Sequence, residues 1–299
     1  MSPAPCCAST EGSAWATDPH PGTRTTRHRS ADGRTDPHEE EQAVPTRSPR
    51  TTGPSPITPT PLALVRATAD VLPLLYAVTL APYERDRAAR LPAGERREDY
   101  LAAHVLVRLC AARFLGVDPA ALMLGQRCAE CGGEDHGRPF LRDRPDVGVS
   151  LSHTRGAVAA AAGPGPVGVD VEDASDAVFS PRVAARVLAP AELAVVHADP
   201  DPARAFLRLW VRKEALVKVG VTTLGRLRGI DLAASGAPAG RQPADGRHID
   251  RLLADRRFAD WSSPDGRLIA AAVAHTTPAL DGGSDLSPSR FAYSGEQHA

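Results

Sequence analysis

The sequence predicts an α+β (α/β) fold, and three observations point to it. Apolar runs of strand length alternate with helix-period segments from about residue 61 to 277. Two of the helical segments are long, 100–115 and 202–219. Each is preceded by a strand-like run and a charged helical stretch, and each contains an apolar-Val-Arg step, Leu106-Val107-Arg108 and Trp210-Val211-Arg212. That last likeness suits a duplicated unit and equally suits two unrelated helices, so by itself it is weak.

In chain order, residues 1–60 are dense in Ser, Thr, Pro, Gly and Arg with almost no apolar period, and read as disordered. The apolar run 74–80 suits a strand, and the charged stretch that follows suits a short helix and loop. Leu101, Val105, Leu109 and Ala112 share one face of the helix 100–115, which Gly116 ends. Segments 147–152 and 157–162 read as paired strands around a turn at 153–156, and 167–172 as a further strand. Short helices are expected at 183–188 and 191–198. The long helix 202–219 has Asp201 as N-cap, Pro202 at its first position and Gly220 at its stop. A buried strand closes the pattern at 267–274, and 278–299 reads as a disordered tail. The organisation is therefore a subdomain over 61–165 and a second over 166–277, flanked by disordered ends.

Composition narrows the function classes. The chain has 299 residues and a net charge of −1, so no global basic field marks it for nucleic acid. No run of about 18 apolar residues marks a membrane span. The N-terminus lacks the apolar core of a secretory signal. Five cysteines, two of them adjacent, make no disulfide framework, so a cytoplasmic protein with reduced thiols is expected.

Chemistry concentrates in two short stretches. Only two of the 35 Lys and Arg residues are lysine, Lys213 and Lys218, and both lie in the segment WVRKEALVKVG. Lysine is a point charge that can pass a proton, which arginine does not do at neutral pH. Phe206, Trp210, Glu214 and Lys218 recur every fourth residue and form one stripe running from aromatic to charged. In the strand Gly168-Val169-Asp170-Val171-Glu172 the two carboxylates share a face, their α-carbons roughly 6.5–7 Å apart, while Val169 and Val171 face a core. Neighbouring carboxylates repel unless a cation or proton lies between them, and oxygen-only ligands suit Mg²⁺, with Glu214 as a third donor. An exposed acidic strand end has the same sequence. Ser150-Leu151-Ser152-His153-Thr154 offers hydroxyls and an imidazole for phosphate oxygens, or a turn held by local hydrogen bonds.

GVDVE, followed about forty residues later by WVRKEALVK, resembles the paired signature G-[IV]-D-[IV]-E … W-x-x-K-E-[AS]-x-x-K of Sfp-type 4′-phosphopantetheinyl transferases. SLSH and HGRP look like that family's upstream motifs, and the resemblance covers roughly residues 70–275. It implies a pseudo-dimer of two similar α/β subdomains with the active site at their interface. It implies transfer of the phosphopantetheine arm of coenzyme A to a serine of an apo acyl or peptidyl carrier protein, with release of adenosine 3′,5′-bisphosphate. It implies Mg²⁺ on Asp170, Glu172 and Glu214, with Glu214 and Lys218 catalytic. It implies coenzyme A contacts from Arg87, Arg138, Ser152, His153, Lys213 and Lys218, in a monomer that binds neither nucleic acid nor membrane.

Two features depart from the family pattern. Gly220-Val-Thr-Thr-Leu224 stands where the family has Gly-x-Gly-Leu. Cys128, Cys131 and His136 are candidate zinc ligands, three where a structural site uses four. Two rival functions follow from the residues: another metal-dependent phosphoryl or nucleotidyl transferase using the same carboxylates, and a zinc-containing nucleic-acid-binding module. The carriers themselves, whether of polyketide, nonribosomal peptide or fatty acid synthesis, are not encoded in these motifs.

Overall fold

A computed structural model of the chain describes residues 60–134, 136–233, 253, 255–275 and 280–281. The two segments read as disordered lie outside the described residues, apart from Thr60 and the pair 280–281. Helices and mostly antiparallel strands make a mixed α+β fold.

The first half runs β1 (Leu62–Ala67), α1 (Thr68–Val71), a 3-10 segment at Leu72–Ala77, α2 (Pro82–Arg90), α3 (Glu95–Leu115), the hairpin β2 (Leu124–Arg127) and β3 (Arg138–Leu141), then β4 (Val147–Thr154) and β5 (Ala157–Pro164). The second half runs β6 (Gly168–Asp173), α4 (Pro181–Val187), α5 (Pro190–Ala198), α6 (Pro202–Lys218), a 3-10 segment at Leu224–Gly229, β7 (Arg256–Ser262) and β8 (Leu268–His275). A two-residue strand, β9 (Leu280–Asp281), returns to the first sheet. The sheets are β4-β5-β1-β9, β2-β3 and β6-β8-β7.

One long helix covers each of the two larger sheets. α3 is buried nearly all round from Asp99 to Ala112, and its Val105, Leu106, Leu109 and Ala112 share a core with Leu64, Val149, Val158 and Ala160. A helix apolar on every side belongs inside a protein. α6 is amphipathic, and its Phe206, Leu207 and Val211 pack with Ile269 and Ala271 of β8. Between the sheets lies a core of small side chains: Ala63, Ala159 and Ala161 against Val169, Val171, Ala270, Ala272 and Ala274. A ladder of hydroxyls on β4 crosses the same junction. Ser150 Oγ accepts from Val169 N–H (3.1 Å), Ser152 Oγ donates to Asp170 Oδ1 (2.7 Å) and Thr154 Oγ1 accepts from Asp173 N–H (3.3 Å).

A match at four of five positions between the halves carries a shared device. Leu80-Ala81-Pro82-Tyr83-Glu84 opens α2 and Leu188-Ala189-Pro190-Ala191-Glu192 opens α5. In both, the proline takes the first helical position and the glutamate carboxylate accepts the N–H of the alanine before it. Both glutamates are fully buried, and each meets a cation from its own long helix, Arg108 of α3 or Lys213 of α6.

The expected strand at 74–80 is corrected to the 3-10 segment: Pro73 presets a helical turn, and Leu74, Leu75 and Val78 reach the first core from it. Four strands carry no expectation above: β1, β2, β3 and β7. β7 is an edge strand of alternating charge and aromatic character, whose pattern gives little period to read.

Candidate active site

Close approach of β6 and α6 creates the site. A Cβ at Gly168 would lie 2.3 Å from the Ala215 carbonyl oxygen, so only glycine permits this spacing without a shift. Val169 and Val171 fill the core between the sheets, which turns Asp170 and Glu172 to the α6 side. The helix is pinned at its start by Asp201, whose side chain accepts the Arg204 N–H (3.1 Å), and released at Gly220 in a left-handed conformation (φ 77°). Its stripe then lies over β6. Phe206 stacks on Trp210 at 6.1 Å, and the Trp210 indole donates to Glu172 Oε1 (2.9 Å). Lys218 Nζ donates to Asp170 Oδ1 (2.8 Å) and to the Val169 carbonyl (2.9 Å).

Asp170 at 5% exposure, Glu172 at 7% and Glu214 at 7% are all buried on these two elements, and the Asp170 charge is felt at Glu214. Asp170 Oδ1 is held by Ser152 and Lys218, whereas its buried Oδ2 has no hydrogen-bond partner. Among the described residues Glu214 makes no hydrogen bond. Burial pushes its carboxyl up to about 7, the nearby Asp170 charge adds to the rise, and Lys218 opposes it. The lone Asp170 oxygen and the Glu214 carboxylate are hard oxygen donors. Oxygen donors of this kind suit Mg²⁺.

His153 lies at the end of β4, next to Ser152. Burial, then the Lys218 charge, lowers its pKa to about 4, so at neutral pH it is an uncharged imidazole. Arg138, at the start of β3, reaches the C-terminal end of α6: a Cβ at Gly220 would meet its guanidinium at 2.5 Å. Arg87 is half-buried on α2.

Lys213 is placed elsewhere. It is fully buried, and its ammonium binds Glu192 (2.7 Å) and the carbonyls of Leu227 (2.9 Å) and Ile230 (2.6 Å). An ammonium has three donors, and these contacts engage all of them. The phosphate contact expected of Lys213 is therefore corrected to a structural role that ties α6 to α5 and to the segment Leu224–Gly229. Five residues along a helix turn about 140°, so the two lysines leave α6 in different directions.

A cavity of about 480 Å³ lies between α6 and β7, lined in part by Arg204, Arg208, Arg212 and Trp261. Its lining is centred about a quarter turn round α6 from Glu214, and Arg212 is committed there to Asp260 (2.5 and 2.8 Å). It is not part of the carboxylate site. The contacts that sequence reasoning missed are the Trp210 indole on Glu172 and the Ser150 and Thr154 rungs. The Trp210 position in the stripe, and the alternation of hydroxyls along β4, were the available signals.

Comparison with protein families matches residues 166–272 to ACPS, the 4′-phosphopantetheinyl transferase superfamily. The matched segment runs from just before β6, through α6, into β8. Among curated proteins it is similar to the 4′-phosphopantetheinyl transferase of Bacillus subtilis, 27% identical over 137 residues, 45% of this chain and 57% of that protein. It is also similar to the 4′-phosphopantetheinyl transferase HetI of Nostoc sp., 28% identical over 186 residues, 60% of this chain and 76% of that protein. The chain thus spans little more than half the length of the first of these relatives. The superfamily segment holds all three carboxylates and Lys218, whereas Ser152, His153, Arg138 and Arg87 precede it.

Proposed function

We propose that the protein is a holo-acyl-carrier-protein-synthase type 4′-phosphopantetheinyl transferase, which moves the phosphopantetheine arm of coenzyme A to a serine of an apo acyl or peptidyl carrier protein. The observation that carries this is the buried set Asp170, Glu172 and Glu214 beside Lys218, on the two elements that the superfamily match covers. The lone Asp170 Oδ2 and the raised Glu214 fit Mg²⁺, which would be held by these three carboxylates. When bound, the ion supplies positive charge for the diphosphate of coenzyme A.

The remaining work falls to side chains. Glu214, at about 7, has the affinity for a proton that suits a general base near neutral pH, and it takes the proton of the carrier serine. The serine oxygen bonds to the β-phosphorus, the bond from that phosphorus to the bridging oxygen breaks, and adenosine 3′,5′-bisphosphate leaves. Lys218 gives its charge or its proton to the leaving phosphate. Ser152 keeps Asp170 Oδ1 occupied and so orients the carboxylate. His153, being uncharged, donates a hydrogen bond to a phosphate oxygen rather than acting as a cation. Arg138 and Arg87 supply fixed charge for the phosphates of coenzyme A.

The two helix-covered sheets, with their matching Leu-Ala-Pro-x-Glu starts, support a pseudo-dimer with the site at the junction. A cytoplasmic monomer acting on carriers of polyketide, nonribosomal peptide or fatty acid synthesis completes the proposal. Among the described residues no helix is long and apolar enough to cross a membrane. The net charge of −1 weighs against a nucleic-acid-binding module.

Mass spectrometry after incubation with coenzyme A, Mg²⁺ and a panel of apo carrier proteins tests the proposal. A phosphopantetheine mass gain on a carrier serine, lost in Asp170→Ala, is expected. No gain on any carrier, with phosphoryl or nucleotidyl transfer found instead, would favour the rival transferase.

A further inference from the structure

The ten residues that join β2 to β3 hold a cluster the transferase chemistry does not use. Cys128 directly follows β2, and His136 stands two residues before β3. One ligand atom each from Cys128, Cys131 and His136 lie within 4.8 Å of one another. Cys131 Sγ is 3.3 Å from His136 Nε2. A tetrahedral zinc with sulfur at 2.3 Å and nitrogen at 2.0–2.1 Å needs ligand edges of about 3.5–3.8 Å, so small side-chain adjustments would seat one.

The backbone is already folded around this point. Cys128 N–H donates to the Gly133 carbonyl and Gly132 N–H to the Cys128 carbonyl, each at 2.9 Å. Gly132 takes a left-handed conformation (φ 72°), and Gly133 N–H points at Cys131 Sγ (3.4 Å). An N–H aimed at sulfur favours the thiolate, the form a metal binds. β2 and β3 pair only with each other, over four residue pairs, and the Leu124–Leu141 pair anchors the end of the hairpin away from the connection in the first core.

We propose that Cys128, Cys131 and His136 bind one zinc ion, which clamps the two ends of the β2–β3 connection. Two thiols and one imidazole favour zinc over hard cations such as Mg²⁺. On binding, each thiol gives its proton to solvent and the imidazole binds neutral, so two protons leave per zinc. Cys131 is exposed, so water would have access to a fourth position. The clamp has a consequence for the active site. Gly137 brings the connection back against the Arg127 carbonyl, and the next residue is Arg138, whose guanidinium lies at the end of α6. Zinc would thus fix the base of the arm that carries Arg138.

Cobalt(II) is the probe. The reduced, metal-free full-length protein is titrated with Co²⁺, then with Zn²⁺. One equivalent of Co²⁺ should give a thiolate-to-cobalt charge-transfer band with the visible bands of a tetrahedral ion, and one equivalent of Zn²⁺ should bleach them. Cys131→Ser and His136→Ala should each weaken binding by more than about 100-fold, since loss of a mere supporting residue already costs about 10–100-fold. Their circular dichroism should stay that of the wild type. Asp170→Ala should keep the cobalt spectrum unchanged, which separates this site from the carboxylates. Absence of the charge-transfer band, an equal band in Cys131→Ser and His136→Ala, or its loss in Asp170→Ala would each overturn the proposal.

Discussion

Glu214 is the residue on which burial, charge and the proposed proton transfer meet. Its carboxyl is raised from the ordinary 4.5 to about 7, by burial first and by Asp170 second. The fold therefore binds a proton there that the unfolded chain does not. This contribution to stability is fully present below about 4.5 and is lost as pH rises through about 7, on the order of 3 kcal/mol in total. Under the proposed role, Mg²⁺ would compete with that proton, so its stabilising effect should grow over the same window. Melting temperatures in chelator and in Mg²⁺, at pH 5 and pH 8, would show it, and Glu214→Gln should flatten both dependences. An equal Mg²⁺ shift at the two pH values would mean that Glu214 is not a ligand. Lys218→Arg should lower turnover by about 10²–10⁴, the range for a lost acid–base group, because arginine does not release its proton. Steady-state kinetics with coenzyme A would check this, with the Michaelis constant nearly unchanged. At this scale much was legible in the sequence. Alternation along β6 and the four-residue stripe of α6 are properties of the local backbone, so they put Asp170, Glu172, Glu214 and Lys218 on facing surfaces in advance. Lys213 was not legible, since its partner Glu192 is distant in sequence and buried with it.

At the scale of elements, the site depends on how α6 is seated. Two contacts seat it: Gly168 beneath Ala215, and Lys213 on Glu192. Gly168→Ala would force a Cβ into the Ala215 carbonyl and push the helix off β6. Overpacking of this kind costs about 1–3 kcal/mol, and because Glu214 and Lys218 ride on the helix, transfer activity should fall further than the stability loss explains. Chemical denaturation and carrier labelling of the same variant would compare the two. Lys213→Met should act differently. It leaves the Glu192 carboxylate buried without a counter-charge, a change that typically costs about 3–5 kcal/mol. Urea unfolding should show that loss, while turnover per folded molecule stays close to wild type. A phosphate-binding Lys213 would give the opposite pattern, with stability kept and the Michaelis constant for coenzyme A raised. The helices themselves were legible from caps and period: Asp201, Pro202 and Gly220 bound α6 where the structure has it. The strands β1, β2, β3 and β7 were not. β2 and β3 have four residues each, and β7 is a charged edge, so their pairing is decided by partners that no local window contains.

For the whole molecule, the question is whether the two halves unfold as one. Each carries its own long helix and its own buried glutamate–cation pair, which would let each stand alone. They also share a core of alanines and valines and the three hydroxyl rungs between β4 and β6. The proposed transfer would need that junction intact, because Ser152 of one half holds Asp170 of the other. The Glu84 site offers a lever that touches only the first half. Burial alone would raise the Glu84 carboxyl, but hydrogen bonds from His104 and Arg108 hold it down to about 2. Glu84→Gln leaves the fully buried Arg108 without its counter-charge and should cost about 3–5 kcal/mol. The report can be taken from the second half, since Trp210 and Trp261 both lie there and Trp15 can be replaced by Phe. If the shared core makes one cooperative unit, Glu84→Gln should lower the denaturation midpoint seen by tryptophan fluorescence as much as that seen by far-ultraviolet circular dichroism. A fluorescence midpoint left at its wild-type value, with circular dichroism splitting into two steps, would show two units that merely dock. The active site would then be a contact between independently folding parts, and Asp170 would lose its Ser152 partner whenever the first half opened.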